Sequence, residues 1–363
     1  MDHMDFERII NLRSKLHTCP ELSGCESVTL GEIESFLRSF TSLHVERREG
    51  WLLAKHWEGD DLPAVGFRAD VDAIPDGCGG ARHGCGHDGH AAILCGLALA
   101  LEGRRLSKNV CLIFQPAEEI GTGAKMICDS WDELRTLTRI YGLHNIPGYG
   151  RGELLVREGC FACASCGLIV RAQGSPAHAA YPEDGINPAP FLCQLALEIP
   201  GMIEAIRGDS GRMLMSTLIG LRVGGENFGL SASEGELCLT LRAHRQEDLD
   251  ALIAQITDHA RAACAAAGMN CTFERRDPFP DTTNDPDAVA QSRAAWDKAE
   301  LPVRELAEPM RWSEDFGWYL KHVPGMFFGV GIGEDHPGLH TQEYTFDDSI
   351  IARAVEALHA LLK

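Results

Sequence analysis

The sequence predicts an α/β protein in which a large domain, built on a central sheet with flanking helices, is interrupted by a smaller α+β domain. Three observations predict this class. Short apolar runs end in polar residues, which is typical of buried strands in an open sheet. Segments with apolar residues at helical spacing separate these runs. In the middle of the chain the order changes to strand, helix, strand, strand, helix, strand, which is ferredoxin-like.

The first part of the chain, residues 1–163, alternates helices with apolar strands. Helical spacing of apolar residues begins at Phe6, and 26–40 predicts a second helix. The runs 64–70 and 109–115 predict buried strands with polar residues at their carboxyl ends. Because such ends meet at one edge of an open α/β sheet, we expect a functional site there.

The middle part, residues 164–274, predicts the inserted domain. Its strand 235–244 alternates apolar and polar residues, and 246–268 is an amphipathic helix that ends at a glycine. The last part, 275–363, returns to the first pattern and closes on a helix with acidic residues at its start. The prediction is therefore a discontinuous domain, 1–163 with 275–363, and an inserted domain over 164–274.

Composition argues against several classes of function. The 363 residues hold 53 acidic and 33 basic side chains, a formal charge of −20. Nucleic acids and anionic membranes need a positive face, so we expect neither as a partner. The apolar run 91–101 is too short to span a bilayer. Many of the 14 cysteines lie in apolar runs and no signal-peptide pattern opens the chain, which predicts a cytoplasmic protein with reduced thiols.

The densest polar cluster is 82–90, which contains Cys85 and His87 between glycines. A thiolate and an imidazole two residues apart can turn toward one metal ion, and the glycines allow close backbone approach. The alternative, a glycine-rich turn with incidental histidines, is disfavoured by the number of donor residues in so short a stretch. The cluster therefore predicts part of a metal site.

Further donors follow other apolar runs. Glu118 and Glu119 come directly after the strand 109–115, where one carboxylate could bind metal while the other faces water or substrate. An ordinary acidic helix start is an equally good interpretation of this pair alone. His144 and His340 also follow predicted strands. Sulfur, nitrogen and oxygen donors together suit zinc, manganese, nickel or cobalt rather than calcium.

With these motifs the chain resembles the metal-dependent amidohydrolases that include hippurate hydrolases, aminoacylases, indole-acetyl-amino-acid hydrolases and aminobenzoyl-glutamate hydrolases, relatives of the carboxypeptidase metallopeptidases. The matching segments are LHTCPELSGCE, FRADVDAIP, HGCGHDGHAA, FQPAEE, YGLHN, AHAAYP, SEDF and GLH. The resemblance implies a metallopeptidase-like catalytic domain and an inserted lid and dimerisation domain, with a homodimer formed through the lid.

The resemblance also implies roles for individual residues. Two divalent metal ions would be held by Cys85, His87, Glu119, His144 and His340. Glu118 would be the general base and acid, and Asp70 a carboxylate that orients a ligand. His178 would contact the substrate carbonyl, and Arg242 would hold a substrate carboxylate.

The chain departs from the family pattern near the substrate. The stretch between Pro75 and His83 is shorter than usual. Glu183 and Asn187 replace a usual histidine and aspartate. The usual asparagine falls on Gly229, with Asn227 two residues earlier as the candidate substrate contact. These changes concern substrate contacts rather than metal ligands.

The function expected is hydrolysis of the amide bond of small N-acyl amino acids, releasing an amino acid and a carboxylate. One alternative is a dipeptidase or carboxypeptidase that uses the same metal site. Another is a catalytically silent binding protein on the same fold. A thiol redox protein is disfavoured because no CxxC motif begins a predicted helix.

Overall fold

A computed structural model describes residues 3–363 as two compact units. The first comprises the chain up to Phe161 together with Thr282–Pro309 and Asp315–Lys363. The second comprises Ala162–Asp281 and Met310–Glu314. The first unit is therefore discontinuous in sequence, and the second is inserted into it.

Helices and strands are numbered in chain order. The α-helices are α1 His3–His17, α2 Ser27–Phe40, α3 His87–Leu101, α4 Gly123–Ser130, α5 Ala189–Arg207, α6 Gln246–Ala266, α7 Pro286–Lys298, α8 Gly317–Leu320 and α9 Ile351–Ala360. The strands are β1 His44–Arg47, β2 Leu52–His56, β3 Ala64–Asp70, β4 Ile74–Pro75, β5 Ala81–Arg82, β6 Asn109–Gln115, β7 Leu137–Ile146, β8 Leu154–Val156, β9 Gly159–Ala162, β10 Ala164–Gln173, β11 Ala177–His178, β12 Leu214–Val223, β13 Leu230–Ser231, β14 Glu234–Ala243, β15 Asn270–Phe279, β16 Thr282–Asn284, β17 Val303–Glu305 and β18 Gly325–Gly331.

The central sheet of the first unit has the strand order β1-β2-β6-β3-β7-β18-β8-β17. Its middle strands β6, β3, β7 and β18 run parallel. Asp70 lies opposite Gln115 in the register of β3 and β6, so both strands end at the same edge of the sheet. The predicted strands 64–70 and 109–115 are confirmed, and so is the mixed α/β class with a mostly parallel central sheet.

Alternate side chains of the central strands pack against α1, α2, α3, α7 and α9 in one hydrophobic core. The centre of this layer is α3, whose side chains are buried along nearly its whole length. A helix that is apolar all round has to lie inside the protein. Since α3 begins at His87, the core fixes the position of the polar loop before it.

The sheet of the second unit has the order β12-β14-β10-β15, and α5 and α6 pack on one face of it. Along the chain the elements run β10, α5, β12, β14, α6 and β15, the ferredoxin-like order that the sequence predicts.

The unit boundaries differ from the predicted 164–274. Strand β15 continues to Phe279, which carries the second unit to Asp281. The segment Met310–Glu314 also joins this unit, because Cys163 donates a backbone hydrogen bond to Trp312. Contacts so distant in sequence leave no signal in a local pattern of apolar residues.

Helix α5 is, within residues 3–363, the one helix long and apolar enough to cross a membrane by length and composition alone. Its residues Leu192, Leu195 and Ile199 are buried in the core of the second unit. Core helices of globular domains meet the same criteria, so this is weak evidence of a membrane segment. The expectation of no membrane partner stays a prediction.

Candidate active site

The polar loop before α3 brings Cys85 and His87 to the edge of the sheet. Gly86, between them, has a left-handed backbone with φ 99°. A Cβ on Gly86 would lie 2.0 Å from Asn145 Oδ1 and 2.4 Å from the Tyr344 hydroxyl. Both conditions require glycine, so the spacing of thiol and imidazole depends on this residue.

Glu118 and Glu119 lie in the turn that follows β6. The turn contains Ala117 with a positive φ of 53°, an unusual conformation for a residue with a side chain. The Glu119 backbone N–H donates to Asp72 Oδ2 at 3.0 Å, and the Asp315 N–H donates to Glu118 Oε1 at 3.4 Å. Glu118 is buried, and Glu119 is partly buried.

His144 lies near the end of β7, and His340 lies in a loop after β18. The His340 backbone also has a positive φ, 65°, and its N–H donates to Gly84 at 2.8 Å. This hydrogen bond ties the two loops together. The His144 side chain is buried, whereas that of His340 is 52% exposed.

The donor atoms of these residues converge. Cys85 Sγ lies 3.4 Å from His144 Nε2 and 3.3 Å from His340 Nε2. Glu119 Oε1 lies 3.4 Å from His340 Nε2 and 3.8 Å from His87 Nε2. Glu118 is within 4.8 Å of the His87 and Glu119 donor atoms. We call Cys85, His87, Glu119, His144 and His340 the donor cluster.

Two buried histidines of the donor cluster are oriented by hydrogen bonds from their outer nitrogens. His87 Nδ1 donates to Asp72 Oδ1 at 3.0 Å, and His144 Nδ1 donates to the Asn145 carbonyl at 2.7 Å. Each ring therefore presents Nε2 to the cluster. This arrangement is usual for metal-binding histidines, where the outer contact fixes the tautomer.

The pKa directions reflect burial and close packing of the donors. Burial raises the pKa of the Cys85 thiol, and the Glu119 carboxylate raises it further. Burial and the nearby His90 lower the pKa of His144. Burial opposes protonation of His87, but the Asp70 carboxylate and the Cys85 sulfur raise its pKa. Since cysteine binds a metal as a thiolate and histidine as a neutral imidazole, cation binding at such a site releases protons.

The donor cluster fits a divalent cation. His87 Nε2 and Glu119 Oε1 are buried, yet neither has a well-aligned hydrogen-bond partner in the described part of the chain. Buried polar atoms rarely lack partners. Sulfur, imidazole and carboxylate donors at mutual distances of 3.3 to 3.8 Å are suited to borderline metals such as zinc, manganese, nickel or cobalt.

The prediction for Asp70 needs a correction. Its oxygens accept from His90 Nδ1 at 2.6 Å and from Arg68 Nη1 at 2.7 Å, whereas His87 Nε2 is 3.8 Å away. The carboxylate that orients His87 is Asp72, two residues later. Both aspartates follow the same strand, so only the fold distinguishes them.

The remaining predicted residues lie in the second unit. His178 is exposed, and its Nδ1 accepts the backbone N–H of Ala180. Asn227 is exposed and accepts the backbone N–H of Gly229. Arg242 donates to the Ser313 hydroxyl at 2.9 Å and to the Arg311 carbonyl at 3.2 Å, and burial lowers its pKa. These residues are not part of the donor cluster of the first unit.

Sequence reasoning overlooked several residues around the donor cluster. Besides Asp72, these are Arg68, His90, Asn145 and Asp315. All of them stand inside the motifs quoted above, so the motifs carried the signal. The motifs do not show which of these residues form hydrogen bonds with one another.

Comparison with known proteins places the chain. The profile of "Peptidase family M20/M25/M40" matches residues 66–363. N-acetyldiaminopimelate deacetylase of Leuconostoc citreum strain KM20 is 26% identical, over 100% of this chain and 97% of that protein. N-acetylcysteine deacetylase of Bacillus subtilis strain 168 is 29% identical, over 96% of this chain and 94% of that protein.

A solved structure agrees with the fold. The Bacillus subtilis YXEP protein, described as a dinuclear metal-binding peptidase of the M20 family, superposes with a TM-score of 0.84 and 25% identity. The match covers 100% of this chain and 98% of that one. The resemblance inferred from the motifs is confirmed, and the chain belongs to peptidase family M20/M25/M40.

Proposed function

We propose that this protein is a metal-dependent hydrolase that cleaves the amide bond of N-acyl amino acids, releasing an amino acid and a carboxylate. The observation that carries the proposal is the convergence of the donor cluster beside the buried carboxylate of Glu118. The names of the relatives support it, since N-acetyldiaminopimelate and N-acetylcysteine are both N-acyl amino acids.

The donor cluster would hold two divalent ions, each ligand contributing the atom that faces the cluster. Zinc, manganese, nickel and cobalt all suit these donors. When bound, such ions polarise an amide carbonyl and lower the pKa of water. His87 and His144 keep their orientation through Asp72 and Asn145.

Glu118 is proposed as the general base and acid. Its buried carboxylate lies close to the donor atoms of His87 and Glu119. It takes a proton from the attacking water and delivers the proton to the departing amine nitrogen. Proton transfer of this kind contributes about 10²–10⁴-fold to the rate.

Three residues of the second unit are proposed as substrate contacts. His178 would donate a hydrogen bond to the carbonyl oxygen as negative charge develops on it. Arg242 would hold the substrate carboxylate, and it has no carboxylate partner within residues 3–363. Asn227 would contribute an amide. Loss of these contacts should affect hydrolysis without changing metal content.

The second unit is also proposed as a lid and dimerisation domain. Strand β12 pairs with β14 on one side, and no strand of residues 3–363 pairs with its other side. Leu218 and Ile219 on β12 are 54% and 64% exposed. A free apolar edge is suited to pairing with a second copy of the chain.

The testing experiment combines elemental analysis with hydrolysis of a panel of N-acyl amino acids and dipeptides. We expect divalent metal, and turnover of N-acyl amino acids that a chelator abolishes. Preference for dipeptides would instead favour a dipeptidase or carboxypeptidase with the same site. Bound metal without any turnover would favour a silent binding protein. The elemental analysis also identifies the native metal.

A cytoplasmic location is part of the proposal. All cysteines of residues 3–363 are free thiols, which is compatible with a reducing compartment. The net charge of −20 argues against a nucleic acid as a partner.

A further inference from the structure

A buried polar hub lies beside Glu118. The Asp315 carboxylate accepts hydrogen bonds from Arg68 Nη2 at 2.8 Å, from Gln115 Nε2 at 2.8 and 3.0 Å, and from the Ala124 N–H at 2.9 Å. The side chains of Arg68 and Asp315 are completely buried. Arg68 Nε also donates to Gln115 Oε1 at 2.8 Å. The three side chains therefore hold one another in a fixed arrangement.

The hub reaches the general base through the backbone. The N–H of Asp315 donates to Glu118 Oε1 at 3.4 Å. Gln115, which these hydrogen bonds hold in place, is the last residue of β6 and lies three residues before Glu118. The position of the Glu118 carboxylate is thus constrained twice: by Gln115 earlier in the same segment, and by the backbone of Asp315.

A second chain of hydrogen bonds runs from Arg68 to the surroundings of the donor cluster. Arg68 Nη1 donates to Asp70 at 2.7 Å, and Asp70 accepts from His90 Nδ1 at 2.6 Å. His90 Nε2 in turn accepts the backbone N–H of Asn145 at 3.0 Å. Asn145 follows the cluster residue His144, so hydrogen bonds connect the surroundings of Glu118 with those of the donor cluster.

Buried charges of this kind need a reason. Removing two ions from water is costly, and replacing such a pair by apolar residues is often neutral or stabilising. The arrangement is therefore poorly explained by stability alone. Preorganisation of a catalytic group is a better explanation, since a displacement of about 1 Å can cost about 10²-fold in rate.

We infer that Arg68 and Asp315 are positioning residues, which fix the carboxylate of Glu118 relative to the donor cluster. The inference rests on the proposed function, in which Glu118 transfers the proton. Neither residue belongs to the donor cluster, and the contact of Asp315 is with Glu118, so we expect substitution of Asp315 to affect proton transfer rather than metal binding.

The first test compares Asp315→Asn with the wild-type enzyme. The amide of the new asparagine cannot accept all of the hydrogen bonds that the carboxylate accepts. It also leaves the positive charge of Arg68 without the Asp315 carboxylate as its partner. We expect kcat to fall by about 10²-fold, while KM and metal content stay close to wild type. The matched control is Asn109→Ala, at the opposite end of β6. The buried Asn109 side chain accepts the backbone N–H of Gly59 and donates to the carbonyls of Gly59 and Leu62. This control should lose stability but keep kcat.

The second test places Asp315→Asn in a Glu118→Gln background. If Asp315 acts through Glu118, the second substitution lowers the residual rate no further. An equal further loss would overturn the inference, as would wild-type kcat in Asp315→Asn. If Asp315→Asn does not fold, Gln115→Met removes a neutral member of the hub, and normal kcat in it would also overturn the inference. Full activity in Glu118→Gln would instead refute the proposed function.

Discussion

His87 and His144 present the same ring nitrogen to the donor cluster because the other nitrogen of each ring is already hydrogen-bonded. The geometry of the site thus depends on positions that contact the donor residues without being donors themselves. Gly86 is such a position, since its missing side chain leaves room for Asn145 and Tyr344. Small changes at these positions should therefore act through the orientation of the donors.

Gly86→Ala should reduce metal content and destabilise the protein by about 1–3 kcal/mol, because the new methyl group overlaps Asn145 and the left-handed backbone is strained. Elemental analysis and urea unfolding measure both effects. The matched control is Gly79→Ala, which has a similar φ of 96° but no atom within 4 Å of its added Cβ. Equal metal loss in both variants would contradict the steric explanation.

His17 predicts a pH dependence of stability. Its Nδ1 donates to the buried Asp88 carboxylate at 2.7 Å, and this hydrogen bond raises the pKa of His17. Because the folded pKa exceeds the unfolded pKa, the stabilisation is complete below pH of about 6.5 and is lost as the pH rises through the folded pKa.

His17→Gln should therefore destabilise the protein more at pH 6 than at pH 9. Urea unfolding at the two pH values measures the difference. His322→Gln, a substitution at an exposed histidine, is measured at the same two pH values for comparison. A His17→Gln effect independent of pH would count against a charged His17–Asp88 pair.

At the scale of elements, the central strands could be predicted because their burial is visible in a short stretch of sequence. All seven residues of β3 and of β6 are buried, so both appear in the sequence as apolar runs. The carboxyl-terminal helix is less well predicted. Asp347 accepts the backbone N–H of Ser349 and starts a 3₁₀ turn, and α9 begins only at Ile351.

The candidate site was predictable to the same extent. Its donors stand at strand ends or in a glycine-rich loop, where residue type and spacing indicate chemistry. The Arg68–Asp315 pair was not predictable, because the two residues are 247 positions apart and only the fold brings them together. For Asp70 and Asp72, the sequence offers two equivalent carboxylates, and the packing of α3 decides which one meets His87.

The free edge of β12 predicts a dimer. Leu218→Lys places a charge among exposed apolar side chains on this strand and should convert a dimer into a monomer. Size-exclusion chromatography with light scattering measures the change. Val28→Lys, at a position 52% exposed on α2, is the control and should leave the dimer intact. A dimer that persists in Leu218→Lys would place the interface elsewhere.

At the scale of the whole molecule, the cysteines divide by exposure. Cys25, Cys78 and Cys193 are exposed, whereas burial raises the pKa of Cys111 and of Cys128 to about 12. Thiolates are the reactive form, so the buried thiols should be inert in the folded protein.

Alkylation of the folded enzyme should therefore modify the exposed cysteines and leave hydrolysis intact, whereas a chelator should abolish it. Mass spectrometry identifies the modified residues, and the N-acyl amino acid assay follows activity. The denatured protein, in which all thiols react, provides the reference. Loss of activity on alkylation of Cys25, Cys78 or Cys193 alone would revive a thiol-based chemistry.

The donor cluster is unevenly shielded, from His87 with no exposed surface to His340 with 52% of its side chain exposed. An ion entering the donor cluster would therefore meet His340 before the inner donors, and an ion leaving it would pass His340 last. Substitution of His340 would then change mainly the rate of ion exchange, whereas substitution of the buried donors would change mainly the affinity for the ions.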